Sequence, residues 1–228
     1  MFEAPKPTAT ARRRSGKSDS LDAVHAARAV LAAEHGATPR ADGDREALRI
    51  LHACRRHYTD TRTATVNLFK SLILTADDGL RDQFRGQNTG QQVRHTAHLT
   101  DNDDSSGPLE QLRRMHLAAL AVQILDLDRT LAANLTQIRG LVAAMCPALL
   151  EQPGIGPVTA AVVLIAWSHH GRVRSEAAFA ALAGVNPVPA SSGRTVRHRL
   201  NRGGDRSLNA AIHIIARSRQ RYHQPTKD

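Results

Sequence analysis

Aromatic side chains are scarce in this sequence: Phe, Tyr and Trp make up 3% of its 228 residues. Extensive base stacking needs many exposed rings, so the composition argues against single-strand nucleic-acid binding of that kind. Cysteine is scarcer still. Cys54 and Cys146 fall at no metal-ligand spacing and form no disulfide framework, which implies a reducing compartment. No apolar run reaches the roughly 18 residues that a membrane span requires. The opening Met1-Phe2-Glu3-Ala4-Pro5 is not a secretory signal. Acidic residues are also in deficit, with 21 Asp and Glu against 31 Lys and Arg, so the formal net charge is +10 at pH 7. That balance favours a polyanionic partner, although charge alone would suit a membrane surface too. The length allows one large domain or two small ones with a real core. The expected class is a soluble, intracellular, basic protein.

Residues 1–18, with Pro5, Pro7, Arg12-Arg13-Arg14 and Lys17, have almost nothing to bury and read as a disordered basic tail. Leu21, Val24, Ala27 and Leu31 then recur at helical spacing in an alanine-rich stretch that ends near Gly36. Asp19 and Asp22 sit three apart at its start. As N-cap and first-turn acid they answer unpaired N–H groups and the helix dipole. As two oxygen donors on one face they would also suit part of a Mg²⁺ site. From Asp44 to about Ala76 a long helical pattern carries Leu48, Leu51, Tyr58, Val66, Phe69, Leu72 and Ile73, interrupted by Arg55 and Arg62. Residues 77–107 are polar and weakly periodic, and are expected to form a long mobile loop with at most a short helix. From Leu117 the apolar steps alternate three and four through Ile124, Leu131 and Ile138 to Met145, the coiled-coil signature. Asn134 takes one seam position, where a polar residue fixes register or partner number. Spacing alone does not distinguish an earlier helix from a second chain as the partner. The preferred reading is an antiparallel helical pair that also mediates self-association.

The densest signals lie between Leu149 and Arg221. Leu149 and Leu150, the turn Pro153-Gly154-Ile155-Gly156 and the apolar run from Ala160 form a helix-hairpin-helix pattern. Gly154 and Gly156 permit tight turning, and the N–H groups of the following helix start suit a phosphate. Contacts of this kind hold a nucleic-acid backbone without reading bases; a plain tight turn between packed helices is the simpler alternative. His169-His170 has no third ligand at a sensible spacing, and Trp167 reads as a core residue. The loop Pro187-Val188-Pro189-Ala190-Ser191-Ser192-Gly193 is stiffened by its prolines. Arg194, Arg197, Arg199, Arg202 and Arg206 follow it, opposed only by Asp205. A serine that attacks phosphorus needs cations to stabilise charge developing on the phosphoryl oxygens, and arginine's planar fork matches phosphate. A solvated basic face for DNA binding explains the same arginines without catalysis.

The ordered set Pro153-Gly154-Ile155-Gly156-Pro157, then Phe179 and Leu182-Ala183-Gly184-Val185-Asn186-Pro187, then Ser191-Ser192-Gly193, then Arg202-Gly203-Gly204-Asp205-Arg206-Ser207-Leu208-Asn209 resembles the C-terminal domain of one transposase family. That family is the insertion-sequence family numbered one hundred and ten, related to Piv-type DNA invertases. Lys17-Ser18-Asp19-Ser20-Leu21-Asp22-Ala23 resembles the end of the family's RuvC-like domain, and the helices between match its coiled-coil insertion in place and length. The resemblance implies a serine that forms a covalent DNA intermediate, working with a four-carboxylate Mg²⁺ site. Ser192 matches the nucleophile, with Ser191 its rival. Asp19 and Asp22 match the last two carboxylates, and Arg194, Arg197 and Arg202 are assigned to phosphate, with Arg199 and Arg206 in the same DNA-binding set. Double-stranded DNA is the implied partner, joined in some members by a structured guide RNA, and a bacterial-type cytoplasmic location follows.

The family's first Asp and its Glu have no match here, so the expectation is an N-terminally truncated chain that is inactive alone. The expected fold is mainly α: a remnant helix of a RuvC-like α/β domain (19–43), a coiled-coil helical hairpin (44–146), and a small helical domain with the helix-hairpin-helix (147–222). The competing reading is a non-enzymatic DNA-binding and oligomerising module.

Overall fold

The computed structural model describes residues 19–32, 39–98, 107–191 and 195–226. The expected basic tail 1–18, the helix end at Gly36, and the loop residues 99–106 lie outside them. The fold is mainly α, as the sequence predicts. The chain divides into two compact units, one from Leu48–Ala161 and the other from residues up to Ala47 and from Val162 onward.

Two long helices frame the first unit: α2, Asp44–Leu74, which enters it at Leu48, and α5, Pro108–Met145. They are preceded in sequence by α1, Asp19–Leu31. Helix α5 starts nine residues before the strict periodicity at Leu117, because Pro108 at the first position has its φ preset for a helix and lacks only an N–H that would be orphaned there. Polar bonds fix α2 against α5. The Asn134 side-chain amide donates to the Leu51 carbonyl at 3.0 Å, Arg55 donates to the Leu131 carbonyl at 2.9 Å, and Arg113 donates to the Leu72 carbonyl at 2.9 Å. Partner numbers rise along one helix as they fall along the other, so the pair is antiparallel. The two arginines that interrupt the apolar stripe of α2 are therefore used between the helices. Arg62 pairs with the carboxylate of Asp128. The hydrogen bond that Arg62 donates to Asp128 holds the Arg62 pKa above the ordinary arginine value, partial burial opposes this, and the attraction of the carboxylate adds to it.

Residues 77–98, expected to be loop with at most one short helix, form two. Helix α3, Asp78–Gln83, is capped by Asp77, whose carboxylate accepts the Leu80 N–H at 2.8 Å. Helix α4, Thr89–Thr96, opens with a reciprocal capping box between Asn88 and Gln91. Their apolar residues are too few to show a period, but Leu80, Phe84 and Val93 are buried with Phe69 of α2 and Leu117, Ala121 and Ile124 of α5. Tertiary burial stabilises helices too short to stand alone.

The chain continues through α6, Ala148–Glu151, into α7, Pro157–Trp167, and α8, Glu176–Ala183. Strands β1, Val188–Pro189, and β2, His198–Arg199, pair antiparallel, with Val188 opposite Arg199. Helix α9, Arg206–Tyr222, follows. In the second unit Val162, Ala183, Leu208 and Ala211 form the buried centre, with Phe179, Leu182 and Ile212 packed on it. Trp167, read as core, is instead 38% exposed. Helix α7 ends there, and Ser168 turns back with φ +71°. The buried position goes to the Ser168 hydroxyl, which accepts the Ala41 N–H at 2.8 Å.

Candidate nucleic-acid interface

The second unit holds the motifs of the resemblance from Phe179 onward, and its geometry explains their residue types. Helix α8 ends in a left-handed Gly184, φ +66°, an unfavourable conformation for residues with a Cβ. The four last carbonyls of a helix have no intrahelical partner. Here each finds one. Ala180 accepts the Val185 N–H at 3.0 Å and Ala181 accepts the Gly184 N–H at 3.0 Å. Leu182 accepts the Asp205 N–H at 2.7 Å, and Ala183 accepts the Asn209 side-chain amide at 3.0 Å. The first two bonds are local, and the last two come from the start of α9.

These bonds draw two backbones together. A Cβ placed on Gly204 would lie 2.3 Å from the Gly184 nitrogen and 2.5 Å from its Cα. Only hydrogen fits. Asn201 extends the clip by donating to the Asn186 side-chain oxygen at 2.8 Å and accepting the Gly203 N–H at 2.9 Å. Asp205 is the N-cap of α9, with its carboxylate accepting the Ser207 and Leu208 N–H groups at 2.8 and 2.9 Å. The one acid within the arginine run is thus engaged with backbone. The motifs contain Asn186, Gly204 and Asn209 and assign them no role, and Asn201 directly precedes the last motif. The signal was the conjunction of glycine with amide side chains, the residue types that close backbone approach and carbonyl capping require.

The clip holds both ends of the β1–β2 hairpin. Inside it Ala190 donates to the Arg197 carbonyl at 2.8 Å, and the Ser191 hydroxyl accepts the Arg197 N–H at 3.3 Å. Ser191 is therefore brought against Arg197 through backbone contacts, while Ser192, Gly193 and Arg194 lie outside the described residues. Arg199 and Arg202 line an open cavity of about 490 Å³ whose wall also includes Val188, Leu200, Asn201 and Gly203. Both guanidinium groups belong to exposed residues, as does Arg206 at the head of α9. A solvent-open cavity with two fixed-charge forks and no free carboxylate in its own segment is suited to an oxyanion such as phosphate.

The glycine turn belongs to the other unit. Gly154 takes φ +80°, and the Ile155 N–H closes the turn onto Gln152 at 3.1 Å. The Gly156 N–H, just before the helix, is taken by the Thr159 hydroxyl at 3.0 Å. Val158 and Thr159 remain as first-turn donors of α7 without an intrahelical acceptor.

Asp19 and Asp22 both lie exposed in the first turn of α1. They are hard oxygen donors of the kind Mg²⁺ takes, and one or two carboxylates suffice where water and substrate phosphate complete the shell. Among the described residues no group of three or more His, Cys, Asp or Glu side chains is arranged to hold a metal ion. No described helix is long and apolar enough to cross a membrane.

Comparison with known proteins points in one direction. A model of the Transposase IS116/IS110/IS902 family matches residues 146–228. A probable family 20 transposase of Pseudomonas aeruginosa is 26% identical over 203 residues, which cover 87% of this chain. The chain spans 58% of that relative's length.

Proposed function

We propose that this chain is an insertion-sequence transposase of the Piv-invertase-like type, which cuts and rejoins double-stranded DNA through a serine nucleophile. The observation that carries the reading is the clip. Most of the residues matched to the transposase family, those from Val162 onward, fold within the second unit, which carries the β1–β2 hairpin with Ser191 beside an arginine-lined, solvent-open cavity. In the proposed step the Ser192 Oγ–phosphorus bond forms as the bond from phosphorus to the leaving deoxyribose oxygen breaks. The hydroxyl proton passes to solvent or a base, and the leaving oxygen takes one up. Arg199 and Arg202 steady the phosphoryl oxygens, with Arg194, Arg197 and Arg206 in the same DNA-binding set. Engagement of the Ser191 hydroxyl within the hairpin favours Ser192 as the attacker.

Asp19 and Asp22 would hold Mg²⁺, which when bound polarises a phosphoryl oxygen. The Gly154–Gly156 turn contributes backbone contacts through the first N–H groups of α7. A structured guide RNA would present the same phosphodiester charge. Self-association through the long helices is supported by an apolar groove of about 380 Å³ lined by Leu68, Leu72, Leu109, Leu112 and Leu120. Sedimentation that returned only monomer at micromolar concentration would remove this part of the reading. An intracellular location accords with a DNA substrate.

Covalent trapping tests the chemistry. A labelled duplex carrying the element's end, nicked at the junction, is incubated with protein and Mg²⁺ and resolved under denaturing conditions. On this reading wild type forms a protein–DNA adduct, which overturns the expectation of an inactive chain, while Ser191→Ala retains the adduct and Ser192→Ala abolishes it. Equal adduct from wild type and Ser192→Ala, or none from either, removes the nucleophile assignment. Retained salt-sensitive binding without any adduct supports a non-enzymatic DNA-binding module.

A further inference from the structure

Helix α9 carries charge that neither the clip nor the hairpin uses. Its inner face, with Leu208, Ala211 and Ile212, packs into the second unit's core. On the outer face Arg206, Ala210, His213, Arg217 and Arg221 follow at steps of four, three, four and four residues, and all are exposed. At 3.6 residues per turn these positions form one stripe, about 22 Å long from Arg206 to Arg221. The helix contains no Asp or Glu. Among the described residues none of Arg206, Arg217 and Arg221 has a carboxylate partner. Like charges one turn apart, such as Arg217 and Arg221, destabilise an isolated helix by about 0.2–0.5 kcal/mol. A stripe kept at that cost without a compensating acid fits an external polyanion.

We infer that the outer face of α9 beyond Arg206 is a docking surface for the phosphodiester backbone of duplex DNA, with Arg217 and Arg221 as its cationic contacts. This rests on the DNA-transposing reading and adds to it a backbone-holding element separate from the serine hairpin. A rigid row of cations matches the regular charge of a duplex, one phosphate per 3.4 Å along each strand. Stacking by single-stranded bases has little to use here. The exposed ring at the helix end, Tyr222, lies 5.4 Å from the Arg221 guanidinium carbon. Contacts of the proposed kind position the chain without reading sequence.

The test uses the full chain and a fluorescein-labelled 30-base-pair duplex of arbitrary sequence, titrated at several salt concentrations. Each phosphate contact contributes about 0.9 to the slope of log affinity against log salt. Arg217→Ala/Arg221→Ala should therefore flatten the slope by about 2 and weaken binding about 60-fold at 0.1 M salt, taking affinity at 1 M as unchanged. Both sites are exposed and alanine favours helix, so the circular dichroism spectrum should be retained. Arg217→Lys/Arg221→Lys keeps the charges and should keep most of the slope. A wild-type slope in the alanine pair, with wild-type DNA binding intact, overturns the docking surface and leaves the transposase reading standing. No salt-dependent duplex binding by wild type overturns the DNA reading itself. An equal loss on a 30-nucleotide single strand or on duplex RNA overturns the assignment to duplex DNA.

Discussion

Replacing Gly204 with alanine tests the clip most directly. The added Cβ would sit 2.3 Å from the Gly184 nitrogen, 2.5 Å from its Cα and 2.7 Å from the Ala183 carbonyl carbon. All three are backbone atoms, so no rotamer change relieves the clash and the segments must separate. Overpacking of this kind costs about 1–3 kcal/mol. Separation also stretches two bonds that cross the contact, Asp205 N–H to Leu182 and the Asn209 amide to Ala183. Each contributes about 1 kcal/mol net. The sum is about 3–5 kcal/mol, against a total stability of about 5–15 kcal/mol for a typical domain. A unit of this size loses roughly 4–8 °C of Tm per kcal/mol, so its thermal transition should fall by at least about 12 °C. The control is one residue away. A Cβ on Gly203 meets only the Asn201 side-chain oxygen at 3.4 Å, so Gly203→Ala should change stability by about 0.5 kcal/mol or less. Calorimetry of the two variants beside wild type decides the matter. If Gly204→Ala melts within 3 °C of wild type, or if both variants lose equally, the backbone apposition is wrong.

Two further outcomes follow from single side chains. Asn134 is 5% exposed and bridges α2 and α5, so Asn134→Ala should cost about 1–3 kcal/mol in urea unfolding of the first unit; an unchanged midpoint would mean the bridge is dispensable. Asp205→Ala removes the acceptor for two orphan N–H groups of α9 and should cost about 1 kcal/mol, while Asp205→Asn should stay close to wild type. Hydrogen exchange at Ser207 and Leu208 that does not respond to the alanine change would contradict the cap.

The long helices were legible because their signals are local. Apolar residues recur at helical period along α2 and α5, and each repeat reinforces the same stripe. The basic character was equally plain from counting side chains. The short helices α3 and α4 were missed because six and eight residues carry too few repeats, and what stabilises them is burial against α5. Trp167 was misplaced for a related reason. Side-chain size predicts burial on average, but one left-handed residue at Ser168 ended the helix and gave the interior to a hydroxyl.

The candidate site divides in the same way. The chain's own order supplied the serine loop, the arginine run and the glycine turn, together with a resemblance that named their chemistry, while the pairing of that loop into the β1–β2 hairpin came from the structure. Packing alone revealed that Gly204 must lack a side chain because Gly184, twenty residues earlier, lies against it. It also showed that Asn209 caps a helix on the far side of the hairpin, and that Thr159 takes the Gly156 N–H group. Helical period and turn chemistry are written over a few neighbouring residues. A steric exclusion or a carbonyl's partner depends on which distant backbone arrives beside it, and that is decided only when the core closes.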